Sequence, residues 1–299
     1  MAVYFLYMKT FGRGNGSSAT SAIAYRAGER IRDERTGKVF DHSDRQDVLH
    51  KEILLPTKWN DADMSWAGDR ANLWNTVEAA ETRQNARVAR EFLVALPAEL
   101  SPDQQVELTR GFTRELVDRH GFAVDVAIHA PRTDPRNFHA HILATTREIH
   151  STGFGAKTAL EIGDGERRNR GLEPFFKEVI HTRERWATLT NVALERAQIN
   201  ARIDHRSLEA QGISREPQPV LPRAVYVMEQ RGQFTQLGEQ IRAEYRERVK
   251  ARAKHIAPES LDDVRRKARE EWMQLRQGET AALVEKTLAE RFFDDDLSR

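Results

Sequence analysis

The hydrophobic pattern along the chain changes period several times, and each change predicts an element. Residues 2–9 (AVYFLYMK) are β-prone and run into the flexible segment GRGNGSS. Ser-Ala-Thr-Ser then opens a helix-compatible run through Tyr25, Arg26 and Ala27. Residues 65–89 carry Trp66, Leu73, Trp74 and Val77 at helical intervals, and the EFLVALP that follows reads as a strand. Ser101 has the character of a helix N-cap, with Pro102 at the first helical position. Val106, Leu108, Phe112, Leu116 and Val117 form the apolar stripe of that helix, which stops near Gly121. Residues 122–130 and 138–145 (FHAHILAT) are strand-like, and PRTDPRN between them supplies turn chemistry.

Residues 151–174 are glycine-rich and polar, which predicts a long loop over a sheet edge. Helix resumes over 175–198. From 233 onward, Arg, Glu, Ala and Lys with sparse apolar positions predict one or two solvated helices. The expected fold class is α+β, a largely antiparallel central sheet with flanking helices. The expected division is a domain over 1–232 and a charged helical extension or linker over 233–299.

Composition narrows the chemistry. The chain has no cysteine, which removes disulfides, thiolate metal sites and a cysteine nucleophile together. With 47 Lys and Arg against 46 Asp and Glu, any site for a polyanion must be a local concentration of cations. No apolar run approaches the ~18 residues of a membrane span, and the N-terminus is too polar after Met8 for a signal sequence. A cytoplasmic location is expected.

The ten histidines are distributed informatively. His139 and His141 lie two apart, so they project from one face of their strand. If the hairpin pairs about PRTDPRN, His129 sits across from them, at a Cβ separation of roughly 4.5–5.5 Å for directly opposed residues. Three neutral imidazoles can hold a divalent ion and leave positions open, as a catalytic site needs. A nucleophile is then wanted nearby. Tyr25, on an early helix after a Gly/Ser loop, is the candidate, with Tyr4 and Tyr7 as rivals. Taken alone, Tyr25 reads more readily as a packing residue with its hydroxyl at the surface, and the resemblance below is what changes that reading. His150 and His205 are not placed in the ligand set.

Several blocks together resemble the MobA/MobL family of plasmid mobilisation relaxases, within the larger group named for its histidine–hydrophobe–histidine motif. They are AVYFLYMKTFGRGNGSSATSAIAYRAGER at the start, ARVAREFLVALPAEL at 86–100 and AIHAPRTDPRNFHAHILAT at 127–145. RERWATLTNVALERAQINARIDHRSLEAQGI at 183–213 and YVMEQRG at 226–232 complete the series, in order over about residues 1–232. The resemblance implies a DNA nicking and joining enzyme acting at a plasmid origin of transfer. By position it makes Tyr25 the nucleophile and His129, His139 and His141 the metal ligands. Glu91 falls where the family has an acidic residue. It would accept the tyrosine proton or orient a ligand histidine, and a surface glutamate is the plain alternative.

In the implied reaction a phenolate attacks the scissile phosphate in line, releases a 3′-hydroxyl and leaves a 5′-phosphotyrosine that can be resealed without ATP. A free phenol loses its proton only near pH ~10, so a base or a metal field is needed. Imidazole ligands favour Mn²⁺, with Mg²⁺ acting at its higher cellular concentration. The expected DNA contacts are Lys9, Arg13, Arg26, Arg30, Arg132, Arg136, Arg167, Arg168 and Arg170. The implied partners are single-stranded or melted origin-of-transfer DNA, accessory relaxosome proteins and a type IV secretion coupling protein. Competing readings are a rolling-circle replication initiator, a three-histidine metal hydrolase using water, and a non-catalytic DNA-binding module.

Overall fold

Five antiparallel strands organise the histidine-bearing part of the chain. The computed structural model describes residues 3–131 and 135–255, with isolated positions between 266 and 273. In chain order the elements begin with β1 (Leu6–Gly12), α1 (Ala19–Ala27), β2 (Arg30–Arg32), β3 (Val39–Asp41) and β4 (Val48–Leu54). Next come α2 (Ser65–Gly68), α3 (Arg70–Ala80), β5 (Arg87–Ala95), α4 (Pro102–His120), β6 (Val124–His129) and β7 (His139–Thr145). After them lie β8 (Arg147–His150), β9 (Gly153–Lys157), α5 (Asp164–Asn169), α6 (Phe175–Arg196), α7 (Arg223–Gln230) and α8 (Gln236–His255). By its contacts the chain divides into two units, Met1–Arg206 and Ser207–Arg299. The boundary expected at 232 therefore lies inside the second unit.

The main sheet runs β1-β5-β7-β6-β4, every neighbour antiparallel. Because side chains alternate, one face presents Phe92, Val94, Val126, Ile128 and Ile142 to Phe112, Leu116, Trp186 and Leu194 of α4 and α6. The other face carries Leu143 into a second core with Ile23 of α1 and Leu73 and Trp74 of α3. Coverage on both faces explains why every residue of β6 is buried. It also buries Asp125, which is held by Arg70 Nε at 2.7 Å and Trp74 Nε1 at 3.0 Å.

Helix α4 follows its sequence signals closely. The Ser101 hydroxyl accepts from Gln104 N, the Ser101 backbone N–H donates to Gln104 Oε1, Pro102 opens the helix, and Gly121 closes it at φ 71°. Three expectations need correction. The first strand begins at Leu6, not residue 2. The helical pattern of 65–89 is broken at Asp69, whose side chain accepts from Asn72 N to start α3 anew, and it ends at Ala80. The stretch 151–174 is no open loop: β9 pairs with β8, and α5 follows. A Cβ at Gly155 would stand 2.4 Å from His150 Nε2, so a side chain there would displace the His150 ring.

At the end of α4, His120 lies stacked on Phe122 with ring centroids 5.3 Å apart. Burial, with Arg119 nearby, pulls its pKa down to about 3. The unfolded ring, near 6.5, binds a proton that the folded ring refuses, so stability falls as pH drops from about 6.5 toward 3, by at most about 1.4 kcal/mol per pH unit. Urea melts near pH 7 and near pH 5 should show a smaller loss for His120→Phe than for the unaltered chain. Equal losses would remove His120 as the cause.

Candidate active site

The β6–β7 register sets His129 directly opposite His139 and sets Ala127 opposite His141, so all three imidazoles share one sheet face. Their ring centroids lie 4.6–5.3 Å apart. One ligand-capable nitrogen from each falls within 4.8 Å of the others. His139 Nδ1 lies 2.8 Å from the Asn137 carbonyl, His141 Nδ1 2.6 Å from Glu91 Oε1, and His129 Nε2 2.7 Å from the Arg26 carbonyl. Each ring can thus donate one N–H to an oxygen and keep the other nitrogen's lone pair, the arrangement that orients metal-binding imidazoles. Burial draws the His129 pKa down to about 3 and also lowers that of His141, despite the opposing pull of Glu91. Neutral imidazoles with oriented N–H groups fit a divalent ion. His141→Ala should weaken Mn²⁺ binding by more than the roughly 10–100-fold cost of losing a ligand's supporting partner, measured by calorimetric titration.

Glu91 is fully buried on β5, on the same sheet face. Its carboxylate meets His141 Nδ1, the Arg26 Nε and, at 2.8 Å, Lys9 Nζ. Burial by itself would raise its pKa; the hydrogen bonds and charges of His141 and Arg26 outweigh that and hold it well below the usual carboxylate range. Such a carboxylate is a poor proton acceptor near neutrality. Of the two roles expected for Glu91, the geometry favours orienting His141.

Tyr25 sits near the end of α1. The helix is anchored at its start by Ser18, which caps Ser21 N, and by Glu78 Oε1, which accepts from Ala19 N at 2.6 Å. At its end, three successive carbonyls are each taken by a side chain from another segment: Tyr25 O by Arg45 Nη1 at 2.6 Å, Arg26 O by His129 Nε2 at 2.7 Å and Ala27 O by Lys51 Nζ at 3.0 Å. Two cations at the negative end of the helix dipole reinforce this anchorage. Gly28 then turns the chain at φ 60°, where a Cβ would press on Val48 Cγ2 at 3.2 Å. Tyr25 is 43% exposed, unusual for an aromatic residue on a helix whose other face is buried. Arg45 lies over the ring and the His42 ring meets it edge-on.

Arg26 ties these parts together, its side chain on Glu91 and its carbonyl on His129. The rival tyrosines lack that connection. Tyr4 packs against the core shared with α4 and α6, and burial raises its pKa to about 12. Tyr7 is on the edge strand β1, two strands away from β7.

The expected DNA contacts divide. Lys9, Arg30, Arg136, Arg168 and Arg170 reach solvent in part or fully, with Lys9 on Glu91, Arg30 3.4 Å from Asp41, and Arg170 2.7 Å from Glu166. Arg13, Arg26 and Arg167 correct the expectation. Arg13 Nε donates to Glu78 at 2.9 Å, Arg26 is spent on Glu91 and Ala22 O, and buried Arg167 donates to the carbonyls of Glu173 and Ala159. Each is consumed inside the fold, because a buried guanidinium must be paired. Arg132 lies outside the described residues. His42 and Arg45 were not singled out from the sequence; they stand in DHSDRQDV, whose turn-like composition carries no signal of contact with a tyrosine well back along the chain.

The sequence matches the model of the MobA/MobL family over residues 17–231. The chain belongs to that family. The chain is similar to a mobilization protein MobL of Acidithiobacillus ferridurans, 39% identical over 77% of this chain and 65% of that protein. Mobilization protein A of Escherichia coli is 35% identical over 78% of this chain and 31% of its own length. The chain thus spans less than two thirds of these curated relatives. A structure described as the molecular basis of vancomycin resistance transfer in Staphylococcus aureus matches 69% of this chain and all of that one, with 32% identity and a TM-score of 0.57. The family match extends from the loop before Tyr25 past the histidine hairpin and so contains the whole constellation. Among the described residues no helix is long and apolar enough to cross a membrane.

Proposed function

We propose that this chain is a relaxase that cuts one strand of plasmid origin-of-transfer DNA through Tyr25 and rejoins it during mobilisation. The observation that carries the reading is the double contact of Arg26, which joins the helix of an exposed tyrosine to a ligand histidine and to the carboxylate behind another. A hydrolase using water would have no need of that link.

Single-stranded or melted DNA enters with its scissile phosphate beside the histidine face. A divalent ion held by His129, His139 and His141, Mn²⁺ or Mg²⁺, would supply positive charge next to that phosphate. Tyr25 Oη bonds to phosphorus while the bond from phosphorus to O3′ breaks; the phenol proton passes to water and O3′ takes one up. The product keeps one phosphodiester on the tyrosine, so the reverse attack by a 3′-hydroxyl reseals the strand with little net change in free energy. Glu91 and Asn137 hold the His141 and His139 rings, and Arg26 holds Glu91. Lys9, Arg30, Arg136, Arg168 and Arg170 are the proposed backbone contacts, whose affinity falls with added salt. Accessory relaxosome proteins and a type IV secretion coupling protein are the proposed partners of the whole protein, which acts in the cytoplasm.

The test is incubation with a pool of single-stranded transfer-origin oligonucleotides and Mn²⁺, read on denaturing gels and by mass spectrometry. A metal-dependent adduct mapped to Tyr25 is expected. Cleavage with no adduct would replace this reading with a metal-dependent hydrolase, and binding that survives chelation without any cleavage would replace it with a binding module.

A further inference from the structure

We propose that Arg45 is a positioning residue that holds the Tyr25 ring in place at the end of its helix. This rests on the nicking role given to Tyr25 above.

The Arg45 side chain is only 7% exposed, and its donors are distributed over three groups. Nε donates to Asp47 Oδ1 at 2.9 Å and Nη2 to Asp47 Oδ2 at 2.6 Å, a two-point pair that fixes the plane of the guanidinium. Nη1 donates to the Tyr25 carbonyl at 2.6 Å, and Nη2 stands 3.4 Å from His129 Nδ1. The central carbon of the group lies over the Tyr25 ring, 4.1 Å from the centroid. One planar group thus touches both the main chain and the ring of the nucleophile.

Its own backbone is fixed from both sides. Arg45 N donates to His42 O, His42 N donates to Glu29 O just past α1, and Ala130 N just past β6 donates to Asp47 O at 2.7 Å. Gly28 leaves room for the side chain, since a Cβ there would lie 3.4 Å from Arg45 Cβ. The segment between β3 and β4 is therefore attached to the exits of both elements that carry the chemistry. Arg45 projects from the middle of that attachment.

An exposed tyrosine on a short helix has rotamer freedom to lose before it can attack in line, and a stacked cation removes part of that freedom in advance. Lysine can substitute only in part, because one ammonium cannot at once engage a carboxylate at two points, reach a carbonyl and cover a ring.

The experiment compares the unaltered chain with Arg45→Ala and Arg45→Lys in single-turnover cleavage of a labelled oligonucleotide. DNA affinity is measured separately on an oligonucleotide lacking the scissile phosphate. Arg45→Ala should slow cleavage about 100-fold with affinity changed by no more than about twofold, and Arg45→Lys should recover only part of the loss. Added methylguanidine should restore Arg45→Ala saturably and leave the unaltered chain unaffected. Tyr25→3-fluorotyrosine adds a readout independent of cleavage: one narrow fluorine resonance when Arg45 is present, a shifted and broadened one in Arg45→Ala. Cleavage by Arg45→Ala within about threefold of normal, or a loss matched by an equal loss of DNA affinity, overturns the proposal. If the unaltered chain forms no adduct at Tyr25, the nicking role fails instead, and the fluorine spectra alone then decide whether Arg45 fixes the ring.

Discussion

Tyr25→Phe is expected to abolish the covalent protein–DNA adduct and to slow strand cleavage by about a thousandfold or more, while leaving the fold and DNA affinity nearly unchanged. The contrast follows from where the hydroxyl lies. The ring makes the contacts that place it, the stacked Arg45 guanidinium and the edge of His42, and phenylalanine retains both. The carbonyl of residue 25 still accepts from Arg45, and the rest of α1 is untouched. No hydrogen bond from the Tyr25 hydroxyl is needed to hold the helix, so stability should move by no more than about 0.5 kcal/mol in a urea melt. What is lost is the oxygen proposed to bond to phosphorus. Residual cleavage at more than a tenth of the normal rate would mean that water or Tyr7 serves as nucleophile.

Glu91→Ala is expected to damage stability and metal binding together. Glu91 is buried against Arg26, Lys9 and His141, and deleting it leaves Arg26 buried without its partner. Breaking a buried pair from one side costs about 3–5 kcal/mol, which urea melts would show directly. Glu91→Gln keeps the shape and one acceptor and should cost less. Because the folded pKa of Glu91 is depressed, its stabilisation is present above the ordinary carboxylate range and is lost as pH falls through the folded value. The gap between Glu91→Gln and the unaltered chain should therefore persist at mildly acid pH and close only in strong acid.

The same substitution separates the two roles considered for the carboxylate. If it orients His141, Glu91→Gln weakens Mn²⁺ affinity about 10–100-fold, and saturating metal restores most of the cleavage rate. If it were the proton acceptor, metal affinity would hold and excess metal would restore nothing.

The arginines show why residue type near a site does not assign a role. Nine cations were expected on DNA; of these, Arg13, Arg26 and Arg167 turn inward to Glu78, to Glu91 and to the carbonyls of Glu173 and Ala159. Their partners lie up to 65 positions away, and nothing in the local pattern marks which arginine will find a carboxylate. Arg45, passed over in the sequence, donates to the Tyr25 carbonyl and lies over its ring.

The amino-acid sequence by itself determined what short-range geometry controls. The hairpin carrying His129, His139 and His141 was legible because strand alternation and a brief polar turn bring nearby residues onto one face. Helix α4 was legible because Ser101, Pro102 and Gly121 act within a turn of their own positions. Only the tertiary structure decided the rest: that Glu91 backs His141, that Arg26 bridges Glu91 and His129, and that Arg45 reaches Tyr25 from a separate segment. It also decided that the glycine-rich stretch after β7 pairs as β8 and β9, since glycine there makes room for His150. Those contacts depend on which faces the sheet and helices bury together, a global property that local spacing does not encode.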